Sequence, residues 1–189
     1  MIYKIIQIDN LLEIQKDLTT YLPFYFKNFE ICDSGFYGSD IEIIKKNCFR
    51  LKKFLIDINL LDRWNGVGIS VLKNKESLNI HSDSLKKNRI FALNIPICNC
   101  NNSYTIWYQK KNLDTRPQFK YYVSESVHGI CYFEYRDDDV TEIDRLDCSI
   151  PAFVNIKIPH RGISLNNKKR FLISLRFEPE LTLEEIINL

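Results

Sequence analysis

Histidine is scarce in this chain, with three in 189 residues, at His81, His128 and His160, so any metal chemistry must be built from very few imidazoles. The six cysteines (Cys32, Cys48, Cys98, Cys100, Cys131, Cys148) include no CxxC pair, which removes the usual zinc signature and leaves them to be read as free thiols. Neither sign of charge dominates. Lys plus Arg number 26 against 24 Asp plus Glu, a net charge of +2, so the footprint of a dedicated nucleic-acid binder is missing and a nucleic-acid partner is not implied. No run approaches the ~18 apolar residues of a membrane span. The start MIYKIIQIDN has neither a basic n-region nor a small-residue cleavage site, so no membrane association and a cytoplasmic location are expected. Repeats, low-complexity tracts and Pro/Gly/Ser-rich linkers are also lacking.

What remains is an ordinary globular composition, 45% hydrophobic and 26% charged, on a chain long enough to bury a core without staples. One domain over residues 1–189 is expected. Residues 1–63 read as helical support. IYKIIQI suggests an opening strand, and apolar residues at Leu11, Leu12, Ile14, Leu18 and Leu22 suggest a helix from Asp9 that Pro23 ends. Ser39-Asp40-Ile41-Glu42 matches a capping box, opening a helix to about Leu60 whose stripe is Ile41, Ile44, Cys48, Leu51, Leu55 and Ile58.

From Trp64 the texture changes to short β-rich runs: GVGISVL, SLNIHS, IFALNIPI, SYTIWYQ, FKYYVSE, GICYFEY, AFVNIKI, GISL and RFLISLRF. The long crossovers that parallel neighbours need are missing. The expected class is therefore mainly β (α+β), a jelly roll over 64–178 with the N-terminal helices outside it and a capped helix over 182–189. Pro96 and Pro159 are expected at strand ends or in loops. The segments 33–38, 110–120 and 135–148 read as loops.

In NIHSDS, His81 and Asp83 are two apart on an expected strand, and the period of two puts both side chains on one face. His160 follows 79 residues later in NIKIPHRGISL, a distance that a jelly roll can close. Two neutral nitrogens and one carboxylate suit Fe(II) with open positions, whereas zinc more often recruits a third histidine or thiolates. An HxD pair alone is a common chance pattern, and a solvated polar pair on an exposed strand is its bland alternative.

Arg170 lies ten residues beyond His160, at the start of RFLISLRF. This order (HxD, a distal His, then a basic residue) resembles the Fe(II)/2-oxoglutarate-dependent oxygenase superfamily. HSDSLKKNRIFALNIPICNCNNSYTIWY and IPAFVNIKIPHRGISLNNKKRFLISLRF resemble two blocks of its small viral and bacterial members, distantly similar to aspartyl/asparaginyl β-hydroxylases. The resemblance implies a double-stranded β-helix, with Fe(II) held by His81, Asp83 and His160, 2-oxoglutarate as cosubstrate and O₂ as oxidant. It also implies that Arg170 binds the distal carboxylate, a role that suits a guanidinium because its fork pairs with carboxylates and stays charged when buried. Arg176 shares a strand face with Arg170, Leu172 and Ser174, and is the alternative for that role or a substrate contact. The Arg-x-Ser pattern of some members is absent, because Leu172 holds the serine position. Asn94 in ALNIPI is a further candidate for the cosubstrate or a metal-bound water.

Asn155 reads as a structural residue before His160, Trp107 and Tyr108 as core aromatics, His128 as core or surface, and Arg136-Asp137-Asp138-Asp139 as a solvated turn rather than a calcium loop. The competing class is a non-catalytic jelly-roll binding module or a cupin-like metal protein. Neither has use for a buried cation beside a metal triad, so Arg170 discriminates between the readings. Substrates of the implied superfamily include protein side chains, amino acids, nucleobases and other metabolites, and nothing in the sequence selects among them.

Overall fold

The structure is a computed structural model that describes residues 1–25, 33–83, 90–124 and 127–189, with only the backbone described at 22–25, 121–124 and 127–131. Its elements in chain order are β1 (Tyr3–Ile5), α1 (Leu11–Tyr25), β2 (Gly35–Gly38), α2 (Ile41–Asn47), α3 (Phe49–Asp57), β3 (Trp64–Leu72), β4 (Ile80–Asp83), β5 (Phe91–Cys98), β6 (Ser103–Lys110), β7 (Gln118–Ser124), β8 (Val127–Tyr135), β9 (Val140–Asp147), β10 (Ala152–Asn155), β11 (His160–Ser164), β12 (Arg170–Phe177) and α4 (Leu183–Asn188). Two antiparallel sheets form. The back sheet runs β1-β10-β5-β12-β3-β2 and the front sheet β7-β8-β4-β11-β6-β9. With β1, β2 and the β7–β8 hairpin set aside, the four strands β10-β5-β12-β3 face β4-β11-β6-β9. That alternation of successive strands between two sheets is a double-stranded β-helix, the jelly roll expected over 64–178.

The sequence of β12 explains how the back sheet is covered. Phe171, Ile173, Leu175 and Phe177 point outward and join Ile14 and Leu18 of α1, Ile44 of α2, Leu51 and Leu55 of α3 and Ile186 of α4 in one buried cluster. The intervening residues Arg170, Leu172, Ser174 and Arg176 face the barrel interior. A second, inner cluster of Ala92, Trp107, Leu146, Ala152, Val154 and Ile156 fills one side of the barrel. The other side, between β12, β3, β4 and β11, is left for polar groups.

Several sequence expectations are corrected. Pro23 does not end α1, which runs two residues further to Tyr25, because near a helix end the lost N–H costs a single hydrogen bond. The N-cap of α2 is Asp40 and not Ser39: its carboxylate accepts from the backbone N–H of Glu42 and Ile43, while Ser39 Oγ has no hydrogen-bond partner among the described residues. The single helix to Leu60 is two helices, broken at Cys48, whose ψ of 70° is not helical, and the second ends at Asp57. The opening strand is only Tyr3–Ile5, and AFVNIKI is strand only to Asn155.

Segment 33–38 is not a loop but holds edge strand β2, paired with β3. Segment 135–148 is mostly β9, paired along β6; the consecutive residues Thr141, Glu142 and Ile143 are all exposed, which hides the strand period. Pro96 lies inside β5 and not at its end, opposite Leu172 of β12 and next to the bulge where the register shifts. The helix over 182–189 forms as expected, with Thr182 and Glu185 in a reciprocal capping box.

The helix layer is expected to carry much of the stability. Leu51 is fully buried between α3 and the back sheet, so Leu51→Ala should cost about 2–5 kcal/mol in urea unfolding. The exposed Leu12→Ala should change it by no more than ~0.5 kcal/mol. Equal effects would contradict the packing described.

Candidate metal centre

The three expected ligands meet. His81 and Asp83 lie on β4 with Ser82 facing away, and His160 opens β11, which pairs antiparallel with β4 so that His160 stands directly opposite His81. The ring centroids are 4.6 Å apart, and His81 Nε2 lies 3.8 Å from Asp83 Oδ1. One donor atom from each of the three residues lies within 4.8 Å of the others. Two donors bonded to one ion at ~2.1 Å stand between ~3.0 Å, when adjacent, and ~4.2 Å apart, so the side chains would have to draw together to hold one.

The second ring nitrogens are already committed. His81 Nδ1 is 2.8 Å from the carbonyl oxygen of Asn79, and His160 Nδ1 is 2.8 Å from that of Ile158. A carbonyl can only accept, so each Nδ1 carries the proton and each Nε2 keeps its lone pair for a metal. Burial pushes the His160 pKa from 6.5 down to about 4, the His81 ring adds to the shift, and Asp83 opposes it. A neutral imidazole is the ligand form.

The two arginines separate into different places. Arg176 Nη2 donates to Asp83 Oδ2 at 3.0 Å, so it sits beside the triad. Arg170 is only 2% exposed and lies deeper in the barrel, where Nη2 donates to Ser70 Oγ at 2.7 Å and Nη1 approaches Cys148 Sγ at 3.7 Å. Its Nε has no partner, and no carboxylate among the described residues stands within ion-pair distance of it. A buried cation with no carboxylate beside it costs several kcal/mol.

The distance between the two places is set by β11. Gly162, two residues beyond His160 on the same strand face, is ~6.6 Å along the strand from it. A Cβ at Gly162 would stand 3.5 Å from Arg170 Nη2 and 3.4 Å from Leu72 Cδ1. The bare glycine keeps this strand face from crowding the guanidinium. Ser70 and Gly162 were not singled out from the sequence; a serine in the apolar run GVGISVL was the available signal for the first.

Asn94 faces the same interior, and its Oδ1 accepts from Ser174 Oγ at 2.7 Å, a cross-strand pair between β5 and β12. Asn155 accepts from Lys157 N and its carbonyl from Trp107 Nε1, a structural role as expected. Trp107 is fully buried, and Tyr108 is buried with Ile80, Ile106 and Val140 on the outer face of the front sheet. Asp137–Asp139 form an exposed 3₁₀ turn. The side chains of His128 and Cys131, and all of Cys32, lie outside the described residues. Cys48, Cys98, Cys100 and Cys148 are free thiols, and burial pushes Cys48 and Cys100 up to about 12. No described helix is long and apolar enough to cross a membrane.

No family model and no curated protein matches the sequence. Among solved structures, E. coli ycfD overlaps 77% of the chain with a TM-score of 0.41 at 12% identity. Oxalate decarboxylase from Bacillus subtilis overlaps 79% with a TM-score of 0.35 at 6% identity. The capsular polysaccharide assembling protein CapF from Staphylococcus aureus overlaps 61% with a TM-score of 0.30 at 9% identity. The chain spans 34%, 27% and 23% of those three chains. Likeness at this level carries no argument about the chain.

The His160 shift has a measurable consequence in the metal-free protein. Its folded pKa of about 4 lies below the unfolded value of 6.5, so between these values the unfolded chain binds the extra proton. Urea stability should therefore fall as pH drops from 6.5 toward 4, and the fall should be smaller in His160→Gln. An identical pH profile in both proteins would contradict the buried neutral imidazole.

Proposed function

We propose that the chain is an Fe(II)- and 2-oxoglutarate-dependent dioxygenase that hydroxylates a substrate bound at the mouth of the jelly roll. The observation that carries this reading is the buried guanidinium of Arg170, with no carboxylate partner among the described residues and about two strand residues from a His81, Asp83 and His160 triad. A metal centre alone needs no such cation. A short dicarboxylic acid with a metal-chelating head does, because its second carboxylate must be neutralised at that depth.

In this reading His81 and His160 offer Nε2 and Asp83 offers Oδ1, each oriented by a contact made on its other side. Two imidazoles and a carboxylate are the donor set that favours Fe(II) with open positions. Arg170 and the Ser70 hydroxyl take the distal carboxylate, with the guanidinium fork supplying a charge-assisted contact. Buried Leu72 and the side-chain-free Gly162 stand beside the guanidinium and shield it from water. When bound, Fe(II) with 2-oxoglutarate and O₂ supplies the oxidising chemistry, in which the keto acid becomes succinate and CO₂ and the substrate gains the other oxygen atom. The protein's own part is orientation, charge neutralisation and exclusion of water.

Anaerobic titration should find one Fe(II) per chain, with binding sharply weakened in His81→Ala, Asp83→Ala and His160→Ala. Adding 2-oxoglutarate to the Fe(II)-loaded protein should give a visible absorption band, and air should then yield slow succinate. Loss of the Arg170 contact is worth roughly 1.5–3 kcal/mol, so Arg170→Ala should weaken 2-oxoglutarate binding about tenfold or more while Fe(II) stays bound. Gly162→Val should do the same with Arg170 intact. If 2-oxoglutarate neither binds nor turns over, the protein is a metal-holding or non-catalytic jelly roll.

A further inference from the structure

Edge strand β2 lies outside the eight-stranded core, yet it reaches the metal centre. Phe36 pairs with Ser70 across β2 and β3, which puts its side chain on the inner face of the back sheet. Its ring occupies the space over Gly68, where an added Cβ would fall 2.0 Å from Phe36 Cζ and 2.1 Å from Cε1. Any side chain at 68 would evict the ring.

The guanidinium carbon of Arg176 stands 5.7 Å from the centroid of the same ring, within cation–π range. Arg176 pairs across the sheet with Gly66, a second residue with no side chain to crowd it. From there Nη2 donates to Asp83 Oδ2 at 3.0 Å, and the two side chains are only 14% and 16% exposed, so water competes weakly for the pair. The other oxygen, Oδ1, faces His81 Nε2 at 3.8 Å. The two carboxylate oxygens are thus assigned to different neighbours.

We infer that Phe36, seated on Gly68, holds Arg176 against Asp83 Oδ2 and thereby confines Asp83 to one-oxygen donation at the metal centre. The inference rests on the proposed metal site. Phe36 and Arg176 are positioning residues, since neither offers a donor to a metal. Their effect is on how many positions remain for other ligands: a carboxylate released from Arg176 can turn both oxygens to the ion and occupy one more. A strand appended to the barrel would in this way guard a coordination position inside it.

The test is a count of exchangeable waters on bound Mn(II), by pulsed electron paramagnetic resonance in deuterium oxide, with folding of each metal-free variant checked by circular dichroism. Arg176→Gln, Phe36→Leu and Gly68→Ala should each show one water fewer than wild type, whereas Phe36→Tyr, which keeps the ring, should match wild type. The double variant Phe36→Leu with Arg176→Gln should equal Arg176→Gln alone, a non-additivity that general loosening of the fold would not give. Gly68→Ala displaces the ring without deleting it, so it stands as an independent arm should Phe36→Leu fold poorly. If wild type binds Mn(II) and both Phe36→Leu and Gly68→Ala keep its water count, the positioning role is overturned and the metal site stands. If wild type binds no Mn(II), the metal site falls and this inference with it.

Discussion

The alternation along β12 is the constraint on which the rest depends. This strand pairs with β3 on one side and β5 on the other, so it has no free edge, and each of its residues is committed to one face or the other. The outward set, Phe171, Ile173, Leu175 and Phe177, must be apolar because four helices are packed on it. That commitment frees the inward set to be polar. Arg170, Ser174 and Arg176 can be held inside a small protein only because their strand is anchored from behind by burial worth roughly 1.5–3 kcal/mol per large side chain. A one-residue slip would exchange the two faces and remove both the helix seat and the polar pocket.

Inside the barrel the division is equally physical. Trp107, Leu146, Ala152 and Val154 plug one side, and the polar groups collect on the other around β11 and β12. Most of these groups find partners within the protein: Asn94 with Ser174, Arg176 with Asp83, and each histidine with a backbone carbonyl. Arg170 is the exception in kind, since its partners are a hydroxyl and a thiol and neither carries the charge that a buried guanidinium calls for. A fold selected for stability alone would place an apolar residue there. The cost of burying the cation is what the proposed carboxylate contact would offset.

The residues of the triad were legible because the chemistry is local in pattern: His81 and Asp83 follow the strand period, and His160 is one of only two other histidines. Arg170 drew attention by its spacing from His160 through a family resemblance, and the structure buries it on the inner face of β12. The different position of Arg176 was not, because strand period assigns a face but not a depth, and the two arginines are six residues apart on the same face. Ser70, Gly68 and Gly162 were invisible for a related reason. Their roles come from what crosses to them from other strands, and a small residue in a strand carries no mark of its visitor. Strand β9 was hidden by its exposed polar run, and the break at Cys48 by an apolar stripe that continues through it. In each case tertiary contact decided against the local pattern.

The most direct test of the account is the preference of the Fe(II)-loaded protein for 2-oxoglutarate over 2-oxopentanoate, a keto acid with the same chelating head and no distal carboxylate, measured anaerobically by calorimetry. Wild type should prefer 2-oxoglutarate by about tenfold or more, the ratio expected of one charge-assisted contact, and Arg170→Ala should lose most of that preference. A wild type that binds the two keto acids equally, or an Arg170→Ala variant that keeps the full preference, would contradict the assignment of the buried guanidinium as a carboxylate site.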